Sequence, residues 1–200
     1  MRGRLLLAVV MALSARDPTV GPQTPGGAPT PITLEVRVFN GTEEVTPHTR
    51  LTVHRAGERS EAIPHTPTGD ARVQLKVPPG IYDVQAIHER EGRVLNIRWA
   101  NRLVVMPYPD EEGQHLEVIN FKNGYGALQV RGPGGAPVGV AIFEAGKRQK
   151  PAGVAVAGGN YSLFVVPAGV YDLQVRSGTK LSWQNGIEVP LDGTRLSIAQ

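Results

Sequence analysis

The segment Val77-Pro78-Pro79-Gly80-Ile81-Tyr82-Asp83-Val84-Gln85-Ala86 returns as Val166-Pro167-Ala168-Gly169-Val170-Tyr171-Asp172-Leu173-Gln174-Val175. Extended outward, the overlay carries Leu51 to Ala86 onto Val140 to Val175 at one constant offset, without a gap. Ala56-Gly57 falls on Ala145-Gly146, Arg59 on Arg148 and Gly69 on Gly158. Downstream, Trp99-Ala100-Asn101 matches Trp183-Gln184-Asn185, and His115-Leu116-Glu117-Val118 matches Arg195-Leu196-Ser197-Ile198. A period of about 90 residues is domain-sized rather than solenoid-sized. The 200-residue chain therefore reads as two copies of one smaller unit.

Each copy alternates. Ile32, Leu34, Val36 and Val38 share one face, and Thr33, Glu35 and Arg37 the other, which is the period of a half-buried strand. Further strands are expected at Leu51 and Val53, at Val73 to Val77, at Tyr82 to Ala86, at Leu95 to Trp99, at Leu103 and Val105, and at Leu116 and Val118. Asn40-Gly41, Thr68-Gly69-Asp70, Pro79-Gly80, Glu91-Gly92 and Glu112-Gly113 punctuate them as turns. The second copy repeats this order from Leu128 to Ile198, with Ser177-Gly178 as a tighter hairpin, and neither copy shows a helical period. The expected fold is all-β: two tandem seven-stranded, Ig-like or prealbumin-like Greek-key β-sandwiches.

The ends set the context. Met1-Arg2-Gly3-Arg4, the apolar run Leu5 to Leu13 and the small residues behind it form a secretory signal pattern. The run is too short for a membrane span, which needs roughly 20 residues. Pro18 to Pro31 is rich in proline and glycine, a composition that favours an extended tether. The expected division is a signal peptide over 1–15, a linker over 16–31, and sandwich repeats over 32–121 and 122–200. The chain holds no cysteine, which removes disulfides, thiol catalysis and a lipidated cleavage point. Each unit must then rest on its hydrophobic core, and roughly 80 to 90 residues suffice for one. The expected product is soluble, exported to the periplasm or the extracellular space, and not a lipoprotein.

In the repeated motif, proline ends a strand and glycine takes the turn. Tyr82 and Tyr171 then face inward, each with a hydroxyl able to reach a buried backbone group, as in a tyrosine corner. Pro78, Gly80, Tyr82, Pro167, Gly169 and Tyr171 are thus structural, while Asp83 and Asp172 are outward strand residues, one in each unit. This motif, with the downstream Trp-x-Asn, resembles the carboxypeptidase regulatory-like, transthyretin-like (prealbumin-like) β-sandwich family from about Ile32 to Gln200. The resemblance implies an accessory domain that supports folding, spacing or partner contact. It also implies a check on the hydroxyisourate hydrolase branch, whose C-terminal Tyr-Arg-Gly-Ser is replaced here by Leu196-Ser197-Ile198-Ala199-Gln200. With that signature absent no enzyme is expected, and because a fold does not fix a function the remaining chemistry is weighed residue by residue.

Other chemistry is sparse. His48, His54, His65, His88 and His115 all lie in the first copy without metal-site spacing, and read as scattered surface residues. No serine sits in a nucleophile elbow, and Asp110-Glu111-Glu112-Gly113 lacks the alternating ligands of a calcium loop. The net charge is +3, and Lys147-Arg148-Gln149-Lys150 has no aromatic partner, so it reads as a solvated turn rather than a nucleic-acid contact. No catalytic residue, metal or cofactor is expected.

Two features remain. Trp99 and Trp183 recur at one point of both copies; they pack beside the hairpin with Ile97 and Leu181 or stack on sugar rings. Tyr161, Leu163 and Val165 replace Arg72, Gln74 and Lys76 of the first copy, making that strand apolar on both sides. Such a face marks a contact, with the first domain or with another protein. The leading expectation is an exported non-catalytic module of the cell envelope, acting by protein interaction or spacing on another envelope or secreted protein. A carbohydrate-binding module using Trp99 and Trp183 is the alternative, and a transthyretin-like hydrolase the third reading.

Overall fold

The computed structural model describes residues 29–65, 73–106, 114–135, 138–157 and 160–199. The signal pattern, most of the Pro-rich stretch, the Thr68-Gly69-Asp70 turn and the Asp110 to Gly113 cluster lie outside these residues.

Alternation of apolar and polar side chains drives the first half into β1 (Ile32–Asn40), β2 (Glu43–Glu44), β3 (Thr49–Arg55), β4 (Val73–Val77), β5 (Gly80–Arg90), β6 (Arg93–Val105) and β7 (Gln114–Asn120). The second half gives β8 (Tyr125–Arg131), β9 (Gly139–Glu144), β10 (Val156–Ala157), β11 (Ser162–Pro167), β12 (Gly169–Ser177), β13 (Lys180–Val189) and β14 (Thr194–Ile198). In the first sheet β1 runs parallel to β7 on one edge and antiparallel to β4 and β2 on the other. The facing sheet is the antiparallel ribbon β3-β5-β6. The second half repeats both, as β10-β11-β8-β14 and β9-β12-β13, again with one parallel pair, β8 and β14. These are two tandem β-sandwiches.

Each sandwich closes on its own core. Leu34, Val36, Val38, Val53, Val84 and Val105 are among the residues sealed inside the first, and Leu128, Val130, Ile142, Phe164 and Leu173 inside the second. Full burial of such a side chain is worth roughly 1.5–3 kcal/mol. Gly126 of β8 is required where it stands, because a Cβ there would lie 1.9 Å from the Pro190 carbonyl oxygen. The register also equates the copies: Val36 pairs with Glu117 in the first, and Val130 with Ser197 in the second.

A third apolar cluster joins the two halves. Phe39, Leu116 and Val118 on the outer face of the first sheet pack with Ala127, Tyr161, Leu163 and Val165 on the outer face of the β8-containing sheet. The molecule is therefore four layers deep, with the two ribbons outermost. Polar groups sit between the inner layers. Arg37 is fully buried and ion-paired with Glu44, Tyr161 donates its hydroxyl to Glu35 at 2.9 Å, and Gln129 accepts from Arg131 at 2.9 and 2.7 Å.

Two details differ from the alternation pattern. The strands expected at Leu95 and at Leu103 are one continuous β6, bulged where the β5–β6 register shifts between Tyr82 and Val84. A bulge adds a residue without ending the strand, so a sequence pattern reads it as a break. Leu95 and Ile97 are 51% and 57% exposed, because the bulge and pairing place their side of β6 outside the sandwich.

Candidate functional site

The repeated motif builds the same device twice. Tyr82 is buried and donates its hydroxyl to the Pro78 carbonyl at 2.6 Å; Tyr171 does the same to Pro167 at 2.6 Å. Gly80 and Gly169 lie beneath these rings, where a Cβ would meet the ring edge at 3.4 and 3.7 Å. The bond ties the turn to the strand that follows it. Replacing Tyr82 with Phe is expected to cost about 1 kcal/mol, the net worth of one internal hydrogen bond. The measurement is the urea midpoint; an unchanged midpoint would mean the ring alone does the work.

Asp83 and Asp172 point out of their sandwiches, as alternation requires, but they are not solvated strand residues. Each is about 4% exposed or less, roofed by the loop that follows β3 or β9. Asp83 Oδ1 accepts from the backbone N–H of Arg102 at 2.8 Å, and Oδ2 from Arg59 Nε at 3.1 Å. Asp172 repeats this with the N–H of Gly186 and of Gly146, both at 3.2 Å, and with Arg148 at 3.4 Å. For Asp83 the Arg102 N–H is the main influence that holds the carboxyl below its ordinary value against desolvation, and for Asp172 the Gly146 N–H is. Arg102 and Gly186 both sit at positive φ, 56° and 72°, so the aspartate fastens the bulged residue in each copy.

The same arginines cover the tryptophans. The Arg59 guanidinium lies 4.3 Å from the Trp99 ring centroid and that of Arg148 lies 4.2 Å from Trp183. Their far ends reach Asn101 and Asn185. His54 lies beside Trp99 and Phe143 beside Trp183, at 5.8 and 5.3 Å between centroids. Both indoles are half-buried on the outer ribbon faces, and each is occupied by a cation–π contact of its own chain. A bare platform for a sugar ring is not what the side chains form. The Asp–Arg–Trp–Asn set was visible in the overlay only as separate matched letters, since their meeting depends on strand pairing.

Tyr161, Leu163 and Val165 are 7%, 0% and 5% exposed, within the cluster that joins the sandwiches. The histidines correct the surface reading: His54, His88 and His115 are buried, with His54 Nδ1 3.0 Å from the Glu61 carbonyl and His88 stacked on Phe121. Burial presses the His115 imidazole below its ordinary value. Among the described residues, no three His, Asp or Glu side chains converge as metal ligands. Lys147 to Lys150 form an exposed turn, with Lys147 on Glu144 at 2.6 Å and Arg148 held by Asp172.

The geometry defines a tandem β-sandwich protein. No family model matches the chain, and no curated protein matches it. Among solved structures it is similar to the Bacillus anthracis TIE protein, at 14% identity and TM-score 0.32, over 86% of this chain and 34% of that one. The chain thus spans about a third of the length of the TIE protein. It is also similar to GBS52, the minor pilin of Streptococcus agalactiae, at 11% identity and TM-score 0.28, covering 84% and 94%. A DUF3823 family protein from Bacteroides ovatus matches at 12% identity and TM-score 0.27, covering 81% and 100%. No helix among the described residues is long and apolar enough to cross a membrane.

Proposed function

We propose that the chain is an exported, non-catalytic module that works by protein contact at the cell envelope, in the periplasm or outside the cell. The observation that carries the reading is the outer side of the β5–β6 ribbon. Val94, Leu95, Ile97 and Val104 are each more than half exposed there, and Ile81 pairs with Val104 beside them. β6 is also 13 residues long and, among the described residues, pairs with a strand on one side alone, so its other side can accept another strand. Apolar side chains gathered along an open edge mark a contact surface. The Tyr161 face is occupied within the molecule, whereas this ribbon carries the densest group of exposed apolar side chains described.

The finer parts of the reading belong with it. They are a leader over 1–15, a tether over 16–31 and sandwich repeats over 32–121 and 122–200. Membership of the carboxypeptidase regulatory-like, transthyretin-like family is supported by the twice-built Tyr–Pro bond. With the full chain as bait, a partner from the secreted fraction is expected to bind the wild type. A variant carrying Leu95→Glu and Ile97→Glu, checked as folded by circular dichroism, is expected to lose it. Equal recovery on both would end the contact proposal, as would a hydrolytic activity removed by one substitution.

A further inference from the structure

β7 is the last strand of its sheet, and the β1–β7 register sends Glu117 to the inner side, level with Val36. Its counterpart in the second copy, level with Val130, is Ser197. A carboxyl thus stands at the open side of the first sandwich only. Glu117 is 8% exposed and makes no hydrogen bond or ion pair among the described residues. Burial raises its pKa to about 8. Elsewhere in this fold the buried carboxylates Asp83 and Asp172 are met by backbone N–H groups and an arginine, so an unmet one stands apart.

Glu117 faces a cleft of about 360 Å³ between β6, β7 and the Asp192-Gly193 turn. That volume is at the small end of ligand sites. Ala100, Leu103 and Ile119 line it, and Arg98 is the cation on its wall. The charge of Arg98 is already answered: Nη2 donates to Asp192 Oδ1 at 2.6 Å and Nη1 to Asn123 Oδ1 at 3.1 Å. His115, the next inward residue on β7, is held toward its neutral form by burial. Among the described residues the cleft therefore offers an apolar strip at Ala100, Leu103 and Ile119 beside the polar Asn101 and Asn120, one neutralised ion pair and one carboxyl without a counter-charge. Among the described residues no second free carboxylate converges there, too few ligands for an inorganic cation. An organic ammonium needs only one carboxylate and a wall for its stem.

We propose that this cleft binds a small primary ammonium compound, its N–H groups donating to the Glu117 carboxylate and its alkyl stem lying along Ala100 and Leu103. The site is on the inner side of the sandwich, away from the outer face of β6, so it stands or falls independently of the contact proposal. Because the free carboxyl holds its proton at neutral pH, each ammonium bound near pH 7 displaces one proton to the buffer.

The test is calorimetric titration of the full chain with n-butylammonium chloride at constant ionic strength. It is run at pH 6, 7 and 8.5, and at pH 7 in two buffers of different ionisation enthalpy. n-Butanol and butyrate serve as comparison ligands, and Glu117→Gln as the variant. Saturable butylammonium binding that tightens with pH, with about one proton released at pH 7, is expected. Glu117→Gln should weaken it at least roughly tenfold, the loss of a charged hydrogen bond, and butanol and butyrate should not compete. The variant's thermal melt shows that it is folded. No saturable heat, equal binding by Glu117→Gln, or equal binding of butanol would overturn the proposal.

Discussion

Replacing Arg37 with alanine is expected to lower the unfolding free energy by about 3 kcal/mol. Arg37 lies on the outer face of β1, between the two inner sheets, with no exposed side-chain surface. Burial works against its charge, but the bonds and field of Glu44, with help from Tyr161, outweigh that and raise its pKa. Its Nε meets Glu44 Oε1 at 2.9 Å, and the guanidinium stands 5.7 Å from the Phe39 ring. Without it, Glu44 loses the cation it is paired with at the edge of the seam. Removing one partner is costly because the other is left uncompensated, whereas replacing both by apolar residues is often neutral. The double variant Arg37→Met with Glu44→Leu should therefore recover most of the loss. Urea unfolding followed by circular dichroism reads both; a double variant no better than Arg37→Ala would refute the account.

Glu117 yields the second large effect, through pH. Its carboxyl moves from an ordinary value of 4.5 to about 8 because burial penalises the charged form. Between those values the unfolded chain has lost the proton and the folded chain keeps it. Folding then takes up a proton, so stability falls as pH rises through this window. By pH 8 the loss is on the order of 4 kcal/mol relative to pH 4. Glu117→Gln has nothing to ionise, so its stability should exceed that of the wild type by a margin that grows from pH 5 to pH 8. Asp83 and Asp172 are held low and act at the acid end, where stability is lost as pH falls, outside this window. Urea midpoints at pH 5 and 8 for both proteins decide the matter. Parallel changes in the two would show that Glu117 is not the source.

Much of this was legible in the letters. Ile32 to Val38 alternate and become β1; the Pro-Gly-Tyr motif becomes a turn bonded to its strand. Tyr161, Leu163 and Val165 stood out as too apolar for an outer face, and they lie in the seam between the sandwiches. Other residues misled for physical reasons. Arg37 has the spacing of a solvated side chain and is the most deeply enclosed cation described. Leu95 and Ile97 keep the two-residue phase of Leu103 and Val105 in the sequence yet face water, because a bulge moved the phase of β6. Glu117 sits in a pattern of inward residues that a single strand cannot label as inward.

The sequence alone determined the duplication, the all-β period and the turn chemistry of each copy, since these depend on neighbours a few residues apart. Only the tertiary structure decided what covers each face. Alternation says that residues share a side, but the sheet laid over that side comes from far along the chain. That packing buried Arg37, drew Asp83 and Arg59 together under a loop, and left Glu117 alone beside a cleft. The repeat made the scaffold readable; the stacking of its two copies produced the features that set them apart.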